Sequence, residues 1–560
     1  MTEQHFPWFA HYPQGVAHEI DPQKYSSIIE ILEESFAKYG NKIAFENMGK
    51  KLTYSEIDLY SMQFASYLQN VAGLKKGDRI ALQMPNLLQY PVALFGALRA
   101  GLIVVNTNPL YTPREMKHQF TDSGAVAIVI VANFAHNLDE IIKDTRIKTV
   151  IVTELGDMLG GFKKTLVNFV VKKIKKMVPA YNLPGAISFQ QAMNLGKQQD
   201  FTKPELNLQD VAFLQYTGGT TGLSKGAALT HGNITANVMQ CDAWFLNTNE
   251  GEEFIVTALP LYHIFALTVN CFLMFTLGAH NLLITNPRDM PAFIKAIKNV
   301  KMTVITAVNT LFIGLLNNSE FANVDFSKLK YTIGGGMAVQ NFVADKWQEV
   351  TGHPLAEGYG LSETSPLVTC NPLDGTQRKG TIGLPAPNTE VAIKDEEGNN
   401  VAIGERGEIC CRGPQVMPGY WQKEEETKAV FFDDWFRTGD IGIMDNDGFV
   451  TIVDRIKDMI LVSGFNVYPN EVEDVIANLD KVLEVAVIGI ADEKTTEAVM
   501  AYIVKADESL TKEEIIEYCK ENLTNYKRPR YIEFANELPK SNVGKILRRV
   551  LREAYVKGEM

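Results

Sequence analysis

The chain has 560 residues, 46% hydrophobic and 21% charged, a globular composition at a length that exceeds one core and implies at least two domains. A net charge of −12 argues against nucleic acid as the main partner, because phosphate backbones demand basic surface. Six scattered cysteines without a CxxC pair suit reduced thiols in a cytoplasmic protein, and Met1-Thr2-Glu3-Gln4-His5-Phe6-Pro7-Trp8 lacks the basic segment and apolar run of a secretory signal.

In chain order, a first helix is expected over residues 28–39, and a second helical region starts at Leu52-Thr53-Tyr54-Ser55-Glu56-Ile57. Arg79-Ile80-Ala81-Leu82 reads as a strand followed by an apolar helix reaching Gly101. Strand-like runs recur at 127–131, 150–152, 211–214, 254–258, 304–308 and 331–333. Short Val/Ile-rich runs separated by helical lengths mean buried parallel strands with crossover helices, so the large part is α/β. From Phe254 to Pro287 there is no Asp, Glu, Lys or Arg. A spanning helix needs ~20 predominantly apolar residues. Pro260, His263, Asn270, His280 and Asn281 interrupt this run, which is therefore expected in the core.

Residues 162–178 carry six lysines and no acid. At helical spacing Phe162, Leu166, Phe169, Val170, Ile174 and Met177 share a face, with Lys164, Lys172, Lys175 and Lys176 opposite. Such a helix either lies in an anionic membrane interface or packs on its own domain. After Gly380 the texture changes to short strands and turns. A smaller unit is expected from Asp454, with strands at 485–490 and 499–504 and a helix over 512–522.

Tyr216-Thr217-Gly218-Gly219-Thr220-Thr221-Gly222-Leu223-Ser224-Lys225-Gly226-Ala227 follows a buried strand and has the parts of a polyphosphate cradle. Its glycines allow close backbone approach, four hydroxyls can donate to phosphate oxygens or sit near a phosphate-bound metal, and Lys225 adds a point charge. Walker A is a near miss: from Gly219 the second required glycine falls on Ser224, and Gly226 follows Lys225. In Glu357-Gly358-Tyr359-Gly360-Leu361-Ser362-Glu363-Thr364, Tyr359 can stack on adenine and Glu363 can hold Mg²⁺ between phosphates. Gly334-Gly335-Gly336 ends a strand, where an α/β sheet opens its binding crevice. Asp440, in Trp435-Phe436-Arg437-Thr438-Gly439-Asp440, can accept both ribose hydroxyls. Asp454-Arg455-Ile456-Lys457-Asp458 stands where a hinge belongs, Lys545 lies in a loop near the C-terminus, and His263 follows a strand.

These motifs, in this order and spacing over almost the whole chain, resemble the adenylate-forming superfamily of acyl-CoA synthetases, luciferases and peptide-synthetase adenylation domains. The segment from Trp435 to Pro469 looks like the fatty-acid signature of bacterial long-chain fatty acyl-CoA ligases, and Ala307-Val308-Asn309-Thr310-Leu311-Phe312 and Gly334-Gly335-Gly336-Met337-Ala338-Val339 match that subfamily too.

The resemblance implies a large N-terminal domain (1–453) of mainly parallel sheets with a small β-rich subdomain, then a small mobile α+β domain (454–560) hinged near 454–458. It implies activation of a long-chain fatty acid by ATP and transfer to CoA. Thr217 and Glu363 would hold Mg²⁺, and the loop from Tyr216 to Lys225 would embrace the β- and γ-phosphates. Gly336, Glu357, Gly358, Tyr359 and Ser362 would line the adenine and α-phosphate site, and Asp440 would take the ribose, helped by Arg455. Lys457 would be the hinge, Lys545 the adenylation lysine, Gly464 part of the thioester-forming face, and His263 the gate of the acyl pocket. Ser362 stands where many relatives have Thr, and Leu461 where some have Lys. The expected partners are fatty acid, ATP and CoA, and a homodimer is compatible with the family.

Overall fold

Apolar runs too short for helices and too uniform for a one-sided sheet become strands covered on both faces. In the first sheet Arg79–Gln83 lies between Ile103–Asn106 and Ala127–Val131, all parallel, with Thr149–Thr153 beyond. Val211–Thr217 extends it in parallel, and Lys225–Thr230 turns back antiparallel. The second sheet sets Phe254–Thr257 between His280–Leu283 and Val304–Ala307, then adds Tyr331–Gly334 and Ala356–Gly360 in parallel. This computed structural model describes residues 6–217, 224–492, 494–541 and 544–558; Gly218, Gly219, Thr220, Thr221 and Gly222 of the phosphate loop lie outside the described residues.

Helix Gln89–Arg99 is buried along its whole length, its apolar body lying between a buried Gln89 that donates to the Glu154 carbonyl and an Arg99 paired with Asp58. The expected second helix starts where Thr53 and Glu56 form a reciprocal cap, each side chain accepting the other's backbone N–H. The charge-free stretch is core: Ala266–Leu273 is a wholly buried helix of wide turns. Its Asn270 is satisfied by Thr257 (3.0 Å), Thr306 (3.0 Å) and the Asn281 amide (2.6 Å). No helix among the described residues is long and apolar enough to cross a membrane.

Glu390–Lys394, Gly407–Arg412, Trp435–Met444 and Val450–Arg455 form a mostly antiparallel β unit beside the two sheets. Asp454 and Arg455 are its last paired residues, and the final sheet opens at Ile460–Val462. That sheet carries Val482–Asp492, Thr496–Lys505 and Tyr531–Phe534, with helices Pro469–Ala477, Lys512–Asn522 and Arg548–Lys557 packed on it.

The basic helix is shorter than its periodicity predicts. It runs as Gly161–Phe169 and continues in wide turns over Val170–Ile174 before Lys176 turns to positive φ (51°) and ends it. Its apolar face is uncovered, with Phe162 80%, Phe169 55% and Ile174 65% exposed.

Candidate active site

Open α/β sheets hold ligands beyond the carboxyl ends of their strands, and Thr217 and Gly334 stand at such ends here. Thr217 closes its strand opposite Lys225. The Lys225 ammonium stands 5.3 Å from the centre of the Tyr420 ring, and the Tyr420 hydroxyl donates to Glu363 Oε1 at 2.8 Å. Tyr420 reaches this point because Gly419–Tyr420 adds to the strand Lys225–Thr230, with Tyr420 opposite Ala227. Glu363 is buried in a single helical turn, and burial raises its pKa against the pull of Tyr420. Next to the described ends of the phosphate-loop stretch, Tyr216 donates to Asp122 (2.7 Å) and the His118 ring meets the Ser224 carbonyl oxygen (2.7 Å).

Asp440 is buried and used twice. Its Oδ2 accepts from the Tyr359 hydroxyl at 2.7 Å, and its Oδ1 lies 3.2 Å from Arg455 Nε across the register pair of two antiparallel strands. The residue read as the adenine platform and the residue read as the ribose anchor are therefore bonded to one another. Glu357 Oε2 accepts from the Val339 amide at 2.9 Å, so its carboxylate braces the loop after the glycine run. Burial pushes its pKa up to about 7, helped by Asp474 of the small domain. Gly336 takes φ +76, which leaves the strand end open toward Val308.

Lys545 enters from the small domain. Its loop is a braced turn: Ser541 N–H donates to the Lys545 carbonyl (2.7 Å), Gly544 N–H to the Ser541 carbonyl (2.9 Å), and Lys545 N–H to Ser541 Oγ (3.1 Å). Burial and the Arg455 guanidinium push its pKa down to about 8, while Asp440 pulls the other way. His263 feels the same ammonium; burial first, then Lys545, lowers its pKa to about 4, so the ring is neutral near pH 7. Its Nδ1 accepts from Phe265 N–H at 3.4 Å, which assigns the proton to Nε2. Buried side chains pin the backbone ahead of it: Asn86 donates to the Leu259 carbonyl (2.9 Å), Tyr90 to that of Leu261 (2.9 Å) and Gln215 to that of Tyr262 (2.8 Å).

Asp454 and Asp458 are held by the small domain. Asp454 Oδ2 accepts from Asn470 N–H (2.8 Å), and Arg548 spans Glu473 (2.7 Å) and Asp458 (3.3 Å). Lys457 is exposed in the turn between them, and Gly464 sits at φ +83 in an exposed hairpin turn. A Cβ at Gly464 would meet nothing within 4 Å, so that turn stands clear of Asp440 and Lys545. Tyr420, in contrast, touches both Glu363 and Lys225 and carries no sequence signature of its own, while Thr310, inside the run Ala307–Phe312, meets the loop that carries Lys545.

Residues 32–421 match the AMP-binding enzyme family, and residues 471–545 match the AMP-binding enzyme C-terminal domain. A long-chain-fatty-acid–CoA ligase of Yersinia pestis is 57% identical over 551 residues, covering 98% of each chain. The anthranilate CoA ligase AuaEII in complex with anthranoyl-AMP shares the fold with TM-score 0.86 at 24% identity, over 97% of this chain and 100% of that one. ATP-bound MatB from Rhodopseudomonas palustris aligns with TM-score 0.80 at 27% identity, over 94% and 99% of the two chains, against 0.70 for the same enzyme without ligand. Two matched domains spanning most of the chain and a full-length relative of such high identity place this protein in the AMP-binding, adenylate-forming enzyme family.

Proposed function

We propose that this protein is a long-chain fatty acid–CoA ligase that works in two half-reactions at one nucleotide site. The run of contacts from Lys225 through Tyr420 to Glu363, with Asp440 paired to Arg455 and Lys545 within the reach of both, carries the reading. In the first half, a fatty carboxylate oxygen attacks the α-phosphorus of ATP, forming acyl-AMP as the bond to pyrophosphate breaks. Asp440 holds the ribose, Tyr359 lines the adenine site, and the Lys545 and Lys225 ammonium groups offset charge on the phosphates. In the second, the CoA sulfur attacks the acyl carbon and AMP leaves. A nucleotide-binding scaffold without turnover has no use for all of Glu363, Asp440 and Lys545.

The domain boundary belongs near residues 454–458, with the small domain turning at Lys457 between the halves. Asp454 and Asp458 are clamped by Arg548 on one side, and Arg455 by Asp440 on the other. The arrangement described here, with Lys545 inside and Gly464 exposed, suits the first half; rotation would carry Lys545 out and bring the Gly464 turn in.

Mg²⁺ fits the donors present. Among the described residues no three His, Cys, Asp or Glu are grouped to hold a metal ion on their own; one carboxylate (Glu363) and one hydroxyl (Thr217) would hold an ion that takes its other oxygens from phosphate and water. When bound, it neutralises phosphate charge as pyrophosphate departs.

Pyrophosphate release across acyl chain lengths tests the assignment. Turnover should be highest with long chains and should require CoA for multiple cycles; release driven only by short or aromatic acids would overturn it.

The basic helix is a peripheral contact with the inner, anionic face of the membrane, which suits a cytoplasmic enzyme with an oily substrate; homodimerisation is compatible with the family. Exposed Phe162, Phe169 and Ile174 supply the apolar face. Lys164 and Lys172 lie near Asp157 and Glu154 (3.5 and 3.8 Å), so Lys173, Lys175 and Lys176 are the better lipid contacts. Changing those three lysines to Glu should abolish sedimentation with phosphatidylglycerol vesicles, at ~1 kcal/mol per lysine. Undiminished sedimentation would refute the contact.

A further inference from the structure

The lysine loop of the small domain is internally braced, yet its tip must be held against the large domain to place an ammonium within an ångström or so. The tip, Gly544, meets one hydroxyl: Thr310 Oγ1 donates to the Gly544 carbonyl at 3.3 Å. Thr310 lies in the first turn of helix Asn309–Leu316, where a threonine hydroxyl ordinarily turns back to its own backbone; here it crosses between domains. The platform beneath is rigid. Asn309 and Gln340 bond reciprocally, side chain to side chain at 2.9 Å and Gln340 N–H to Asn309 Oδ1 at 3.1 Å, and Val339 is tied to Glu357. The approach is also close: Gly544 sits at φ +82, and a Cβ there would come within 2.2 Å of Thr310 Oγ1 and 3.4 Å of Val308. A side chain at 544 would collide with the hydroxyl that the carbonyl needs.

We infer that Thr310 is a positioning residue for the first half-reaction: its hydroxyl clips the Gly544 carbonyl and so aims Lys545 at the reacting phosphate only in the domain arrangement seen here. The inference rests on the two-step ligase reading above. Rotation of the small domain breaks the clip, so Thr310 has no part in thioester formation. The clip is weak enough to release, since one net hydrogen bond changes an equilibrium by only about fivefold.

The test is Thr310→Val, which keeps the shape and removes the donor, beside Thr310→Ser, which restores it, with each half-reaction measured alone. Thr310→Val should slow acyl-AMP formation from fatty acid and ATP about fivefold, chiefly in kcat and not in KM for ATP. It should leave thioester formation from supplied acyl-AMP and CoA within experimental error, and Thr310→Ser should recover most of the loss. Equal slowing of both halves, no slowing of either, or no recovery with Ser would overturn the clip. Failure of the parent enzyme to form acyl-AMP would instead overturn the ligase reading, so the two failures are distinguishable.

Discussion

Lys545→Ala should lower the rate of acyl-AMP formation by ~10²–10³ while thioester formation from supplied acyl-AMP keeps most of its rate. A preorganised ammonium inside a closed site acts where charge develops, and that position is reached only when the small domain is docked. Lys545 is docked here, held down to a pKa of about 8 by burial and by Arg455. The protonated lysine is the active form, and its pKa is depressed. Its contribution is therefore complete below about pH 8 and is lost as pH rises through that value. On kcat/KM, which reports the free enzyme, acyl-AMP formation should acquire an alkaline limb near pH 8, falling about tenfold per further unit, a fall the thioester half does not share because its attacking thiol gains thiolate as pH rises. Bound polyphosphate stabilises the ammonium, so the same limb in kcat should lie at higher pH. Lys545→Arg should remove the limb from the accessible range, because a guanidinium keeps its proton. ATP–pyrophosphate exchange from pH 6 to 10 measures the first half, and equal loss of both halves in Lys545→Ala would remove the lysine from its assigned role.

Much of this arrangement was legible in the sequence, for physical reasons that differ by element. Ala127–Val131 is an unbroken apolar run of strand length, and a strand buried on both faces has no other signature. Helix Lys512–Asn522 begins behind a Thr cap that accepts the Glu514 amide, a local device readable without its surroundings. Glu363 and Asp440 could be found because glycines mark the backbone beside them: Gly358 and Gly360 in the strand that ends just ahead of Glu363, and Gly439, at φ +74, next to Asp440 inside the strand Trp435–Met444.

What escaped is whatever tertiary approach alone decides. Tyr420 is one aromatic among many until a two-residue strand pairs it with the edge beside Lys225. Thr310 is one residue of a subfamily-like run, with no role legible for its hydroxyl, until a loop 234 positions away arrives on it. The bond between Tyr359 and Asp440 joins two motifs that sequence reading treats as separate contacts with a nucleotide. The end of the basic helix is set by Lys176 taking positive φ, which no periodicity forecasts for a lysine.

Asp440→Asn should separate from Lys545→Ala in which steps fail. The substitution keeps the shape of the side chain and the Tyr359 contact but discards a buried charge that pairs with Arg455 and, on the proposed reading, would accept from the ribose hydroxyls. Hydrogen bonds to a charged acceptor contribute about 1.5–3 kcal/mol each, so losing the charge should raise KM for ATP by ~10- to 100-fold. Acyl-AMP carries the same ribose, and its binding in the thioester half should weaken by a similar factor; the lysine variant spares that half. A second consequence follows from the neighbours. Asp440 raises the Lys545 pKa, while Arg455 and Arg548 lower it. Removing the carboxylate leaves only Asp458 against those guanidinium groups, so the alkaline limb of acyl-AMP formation in Asp440→Asn should move below its parental position near pH 8. A defect confined to one half-reaction, or a limb that stays in place or moves to higher pH, would mean that Asp440 and Lys545 do not face the same nucleotide.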